Sequence, residues 1–180
     1  MTSERSQIQL REERIASLSD QQALAIVDLI AGEYADMDTP AGEKEQRAAL
    51  DAAFRAAGVK VDLSQSTMAD IAAAGRAAHE LLRVMAQMPD LHASLDGWLE
   101  EPPRQETLAV PLLIAVPAVW AGCIALLQVL GHSHFRRDSS GEWRFVYDPS
   151  IKTPMDKTLQ TFMKTLAGLI RPLIKSGTST

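Results

Sequence analysis

At 180 residues, with 46% hydrophobic and 23% charged side chains, the chain has the composition of a globular protein with room for one real core. Its formal net charge of −5 argues against a general nucleic-acid binder, which needs a net basic face to meet phosphates. The balance is uneven. Residues 1–106 carry 10 Lys and Arg against 19 Asp and Glu, whereas residues 107–180 carry 8 against 4, so the second half is the one suited to an acidic partner or an anionic membrane surface.

Residues 3–18 repeat apolar positions at helical spacing, with Ile8, Ile15 and Leu18 on one side and Arg11, Glu12 and Arg14 on another. The charged N-terminal stretch holds no apolar run of the kind a secretory signal needs, so a cytoplasmic location is the expectation. Ser19 or Asp20 is placed to cap a second helix carrying Leu24, Val27, Ile30 and Tyr34. Asp36 to Gly42 reads as a loop. A third helix is expected from Glu43 to Ala57, stopped by Gly58. An extended stretch follows. Thr67 with Asp70 then has the pattern of a capping box opening a fourth helix, whose buried side is expected to hold Met68, Ile71, Ala74, Ala78, Leu81, Leu82 and Met85, and which Pro89 should end. A short helix from Leu91 and the stiff EEPPRQE break complete the acidic part.

From Leu108 to Leu130 the chain runs 23 residues without a charge, and Gln128 is the only strongly polar member. Such a run meets the length criterion for a membrane span. Pro111, Pro117 and Gly122 inside it argue against one, as does a topology that would carry the acidic first hundred residues across the bilayer without a signal. Two readings therefore stand together: a membrane helix, and a central helix that is apolar all round because other helices surround it. A helix ending near Ala121 and followed by a buried strand satisfies the same residues. The exposure of Leu113, Val116, Val119, Trp120 and Leu126 is what separates a span or partner surface from a core.

Beyond Gly131 the period changes. Two short runs flank Asp138-Ser139-Ser140-Gly141, which reads as the turn of a hairpin with Phe135 facing Phe145 and Arg137 facing Trp143. Thr153-Pro154 starts a last helix with an apolar stripe of Met155, Leu159, Phe162, Leu166, Leu169 and Leu173. Its other side carries Lys157, Lys164 and Arg171, and KSGTST reads as a tail. The fold class is thus expected to be mainly α. An acidic helical bundle would fill residues 1–100, a Pro-containing break and apolar helix 101–131, and a basic β-hairpin packed with one amphipathic helix 132–180.

Candidate chemistry is sparse. In that hairpin register His132, His134 and Asp148 share a face, the right donor types for a metal, but Arg136 and Arg144 share it too and would repel a cation. His79-Glu80 opens a near miss to the zinc-protease helix, with Arg83 where the second histidine belongs. His92 and Asp96 lie one turn apart and read as an ordinary surface pair. The Asp36–Asp38 loop puts Pro40, Ala41 and Arg47 where a calcium loop needs ligands and a glycine. Cys123, the single cysteine, excludes an intrachain disulfide and sits among apolar neighbours that would keep its thiol protonated and inert. Of Trp98, Trp120 and Trp143, spread over three elements, only Trp120 could mark a site, and a core role is the plainer reading. No cofactor motif is present and no motif identifies a family.

These readings lead first to a non-enzymatic interaction or adaptor protein of bacterial type, meeting a protein partner or a second copy of itself. Leu113, Val116, Val119, Trp120, Leu126, Lys157, Lys164 and Arg171 are its candidate membrane or partner contacts. A membrane-active effector with a sheltered apolar helix is the second expectation, and a metal-dependent enzyme using His132, His134 and Asp148 the third.

Overall fold

The computed structural model describes residues 4–35, 39–40, 42–56, 58–61, 63, 67–68, 71–104, 112–131, 134–146, 163–168, 171 and 174–175. The protein is mainly helical. In chain order come α1 (Glu4–Ser17), α2 (Asp20–Tyr34), α3 (Glu43–Ala56), β1 (Thr67–Met68), α4 (Ile71–Met85), a 3-10 turn (Pro89–Leu91), α5 (His92–Glu100), α6 (Leu112–Gly131), β2 (His134–Arg137), β3 (Trp143–Val146) and β4 (Ile174–Lys175). A further helical turn covers 163–168.

Helix α2 is the clearest example of local sequence acting as local structure. Ser19 accepts from the Gln22 backbone N–H at 3.2 Å, and the Gln22 side chain accepts from the Ser19 backbone N–H at 3.1 Å, so two donors that the first turn leaves unpaired are satisfied reciprocally. Its buried face of Leu24, Ile26, Val27 and Ile30 then lies between α4 and α6. Helix α3 stops at Gly58, whose φ of +70° is a backbone conformation that glycine adopts without a Cβ penalty.

Helix α6 packs chiefly on α2, with α4 and α3 alongside. Gly122 makes that approach possible: a Cβ placed there would lie 2.4 Å from Val27 Cγ1, far inside contact distance. Gly75 does the same for α4, where a Cβ would meet the Asp20 side chain at 2.4 Å. That closeness also brings His79 Nε2 to 3.4 Å from Asp20 Oδ1, across helices, while Glu80 pairs with Arg83 on its own helix.

Several expectations are corrected. Arg11 was expected away from the apolar stripe of α1, yet it is buried. Positions 11, 15 and 18 are one turn apart and share a face, so Arg11 enters the same interface as Ile15. Its charge is met there by Asp96 on α5: Nε reaches Oδ1 and a terminal nitrogen reaches Oδ2, each at 2.7 Å. Asp96 therefore turns to Arg11 across the interface, and His92 instead bonds the Ala86 carbonyl at 2.9 Å. Thr67 and Met68 do not open α4. They pair antiparallel with Lys175 and Ile174, so the 67–68 backbone finds its partners in a strand and α4 begins at Ile71; Lys175, expected in a tail, lies in that pairing. Helix α4 ends at Met85, and Pro89 opens the 3-10 turn beyond it.

Strands β2 and β3 pair antiparallel, with His134 opposite Val146, Phe135 opposite Phe145, Arg136 opposite Arg144 and Arg137 opposite Trp143. Within the 163–168 turn, Met163, Leu166 and Ala167 are buried in the same core as α2 and α6, and Lys164 is exposed. Met155, Leu159, Phe162, Leu169 and Leu173 lie outside the described residues.

Two outcomes follow. Gly122→Ala should lower stability by about 1–3 kcal/mol, the usual cost of forcing volume into a packed contact. Gly97→Ala on α5, where nothing lies within 4 Å, should be neutral or stabilising by a few tenths to about 1 kcal/mol. Thermal and urea denaturation check both, and equal effects at the two sites would refute the close approach. The second concerns acid. Arg11 holds the Asp96 carboxyl below its ordinary value, first by hydrogen bonding and then by charge, against the opposing effect of burial. A depressed folded pKa gives stability that is complete above the unfolded carboxylate value of about 4 and is lost as pH falls through the folded value. Protection of the α1 amides, relative to an unstructured chain at the same pH, should therefore fall below about pH 4 in the native protein, and Asp96→Asn should show the lowered protection at neutral pH.

Candidate functional site

A concave surface with converging polar groups lies, among the described residues, between α3 and the hairpin. Helix α3 is strongly two-sided. Gln46, Ala49, Leu50, Ala53 and Phe54 face the core. Lys44, Arg47, Ala48, Asp51, Ala52 and Arg55 recur at three- and four-residue spacing and line a groove of about 470 Å³. Leu63 contributes a buried apolar patch to it, and Gly141, Glu142 and Trp143 close the far wall.

The wall is held by three devices. The Asp138 carboxylate organises the turn: Oδ1 accepts from the backbone N–H of Ser140 at 2.9 Å and of Glu142 at 3.1 Å, and from the Ser140 hydroxyl, while Oδ2 accepts from Arg144 Nε at 2.9 Å. These bonds, led by those from Ser140 and Arg144, pull the Asp138 pKa down to about 2. Gly141, at φ +82°, donates its N–H to the Asp138 carbonyl at 3.0 Å and allows the reversal. Arg137 joins the hairpin to α3 through an ion pair with Glu45 and stacks on the Trp143 ring, 5.0 Å from its centroid. Trp143 is half-buried against the core, so one of its edges is anchored while the ring forms groove wall.

Along α3, Arg55 pairs with Asp51, and Arg47 lies 3.9 Å from Glu43. Lys44 is exposed. The groove lining contains no histidine, cysteine, serine or threonine. The arrangement combines charge, an apolar floor and an aromatic wall.

The residues singled out from sequence are distributed differently. Val119, Trp120 and Leu126, expected among the partner or membrane contacts, are covered by their own chain in this structure, at 1%, 2% and 0% exposure, with α2, α3 and α4 packed around α6. The side chains of Leu113 and Val116, and all of Lys157, lie outside the described residues; Lys164 and Arg171 are exposed. Among the described residues no helix is long and apolar enough to cross a membrane. His132 and Asp148 lie outside the described residues, and His134 is in β2 with its side chain outside them. Among the described residues no group of three or more His, Cys, Asp or Glu is placed to hold a metal. Burial pushes the Cys123 thiol up to about 12, so it is protonated at neutral pH.

The groove itself escaped sequence reasoning. The small and charged residues on the outer side of α3 carry no local mark of a groove, and nothing local says that a hairpin ninety residues later lies across it. Compared with known proteins, the chain matches no family model, no curated protein and no solved structure.

The turn chemistry gives an expected outcome. The Asp138 carboxyl carbon should titrate near pH 2 in a carbon-detected NMR experiment, well below the ordinary carboxylate value of about 3.9. Because its folded pKa is depressed, its support for the turn is full above about pH 4 and fades towards pH 2. Asp138→Ala should speed amide exchange at Ser140 and Glu142 while leaving α2 unchanged. An ordinary titration, or exchange that does not respond, would mean that the carboxylate is not the organiser of the turn.

Proposed function

We propose that this is a non-enzymatic interaction protein that docks a partner in the groove between α3 and the hairpin. The observation that carries the reading is the groove: a concavity of about 470 Å³ where Arg and Lys side chains, an apolar floor and a half-buried tryptophan converge. Exposed tryptophan and arginine are the residue types that dominate binding energy at protein interfaces, because they combine large contact area with directional hydrogen bonding. The finer organisation that goes with this reading is an acidic helical body (1–100), an apolar helix at its centre (101–131), and a hairpin–helix unit (132–180) that presents the second wall.

The test is positional. A photo-crosslinking residue placed at Ala48, in the groove, should give a discrete protein adduct in the cells that make this protein, and the adduct should disappear with Trp143→Ala. The same residue at Glu12, on the exposed side of α1, should not give it. Identical adducts from both positions, or an Ala48 adduct indifferent to Trp143, would refute the groove as the docking surface.

A further inference from the structure

We infer that a shallow pocket between the C-terminal turns of α2 and α5 is a second binding site, and that its ligand is a guanidinium group. Small residues of α5 (Ala93, Ser94 and Gly97) line it together with Glu33, Trp98 and Glu101, around a space of about 460 Å³. The first ground is charge. The lining holds two carboxylates and no cation. Among the described residues no cation pairs with either carboxylate. The arginines that reach α5 are engaged on its neighbouring face, Arg11 with Asp96 and Arg14 with Glu100, and Arg104, the nearest cation to Glu101 along the chain, is not in the lining. Each carboxylate also sits where a helix favours the opposite charge. Glu33 lies in the last turn of α2, and Glu101 caps α5, its backbone N–H donating to the Gly97 carbonyl at 3.4 Å. Neither last turn contains a basic residue, so the partial negative charge of two helix ends adds to that of the side chains.

The second ground is the ring. Trp98 is half-buried, and its Nε1–H donates to Glu33 Oε1 at 2.8 Å, so a bond between helices sets a carboxylate at the edge of the indole and leaves Oε2 to accept from a ligand. An aromatic face attracts a cation, and a flat cation can also stack on it. A guanidinium is flat, and its five donors, held in a fixed fork, can bond carboxylates in its own plane while it lies on a ring. An ammonium is a compact, strongly hydrated charge that does not stack. A metal ion fits poorly, because a hard cation takes several oxygen ligands and no group of three His, Cys, Asp or Glu is placed to hold one among the described residues. The guanidinium can arrive on a free organic base or on an arginine of a partner protein, and the chemistry that recognises it is the same.

NMR of the intact protein, labelled with nitrogen-15 at its indoles, tests the inference. The Trp98 signal is assigned by its loss in Trp98→Phe, and Trp120 and Trp143 serve as internal controls. It should move saturably with butylguanidinium and with the amide acetyl-Ala-Arg-Ala, at least ten-fold less tightly with the neutral citrulline tripeptide, and several-fold less tightly with the lysine tripeptide. Whichever of the first two binds more tightly identifies the source, a free base or an arginine of a partner. Glu33→Gln with Glu101→Gln should cost the arginine tripeptide about ten-fold or more while leaving the melting temperature unchanged or raised, since it removes negative charge from two helix ends. Gly97→Leu should abolish binding in a folded protein, because the space beside residue 97, where a Cβ would meet nothing within 4 Å, is then filled. If the glutamine variant does not fold, by circular dichroism, the ranking of the probes on the native protein decides. Equal affinity for the arginine and citrulline tripeptides, or no saturable movement of Trp98, would overturn the site. Equal affinity for the arginine and lysine tripeptides would overturn the guanidinium as its ligand.

Discussion

The architecture depends on how closely α6 can approach α2. Two helices pack at about 8–10 Å only where the residues between their axes are small, and here the small residue is Gly122 against Val27. Val119 and Leu126 share the Gly122 side of α6 and are buried with it, while Trp120, the largest buried ring among the described residues, is covered on the other side of the helix. Burying side chains of this size contributes about 1.5–3 kcal/mol each, so a displacement of the helix pair by a methyl group would be felt across the core. The elements bearing the groove are attached to this pair: α3 lies against α6, and β3 lies against α3.

The N-terminal helix is attached by a different principle. Its core contribution is narrow, with Ile15 fully covered and Leu10 about half exposed, so apolar burial alone would hold it weakly. The forked Arg11–Asp96 pair supplies direction, since two parallel charge-assisted bonds fix both the position and the rotation of α1 against α5. Arg14, 3.9 Å from Glu100, extends the contact by one helical turn. A pair of this kind selects a geometry more than it adds stability, because removing Arg11 from water offsets much of the attraction.

Much of the helical content was legible in the residues themselves. The Ser19 cap and the Gly58 stop each rest on chemistry confined to a few neighbours. Arg11 was misread because charge was taken as a sign of exposure, although its position repeats with Ile15 and Leu18; its partner, eighty-five residues away, has no local trace. Thr67 was misread for a similar reason. A Thr-x-x-Asp pattern is a local signal, and a strand from the far end of the chain outweighs it by offering the backbone hydrogen bonds directly. The apolar stretch was ambiguous because lipid and protein core ask for the same side chains, and only the packing of α2, α3 and α4 around residues 118–127 separates them. The groove was invisible on the same principle: it is made by two elements whose approach neither encodes alone.

The single polar side chain in the apolar run shows how core and groove are connected. Gln128, near the end of α6, donates from Nε2 to the Thr39 hydroxyl at 3.2 Å, tying α6 to the segment that leads into α3. A leucine there would satisfy the burial around it and lose that hydrogen bond. The tie has a cost, since Gln128 Oε1 and, on α3, Gln46 Oε1 are buried acceptors without hydrogen-bond partners among the described residues, a penalty of about 1–3 kcal/mol for each such group. Such a cost makes physical sense where position matters more than stability. Thr39 is held just before α3, and Arg137 pairs with Glu45 in its first turn. The charged residues on its outer edge and Trp143 line the concave surface between α3 and the hairpin.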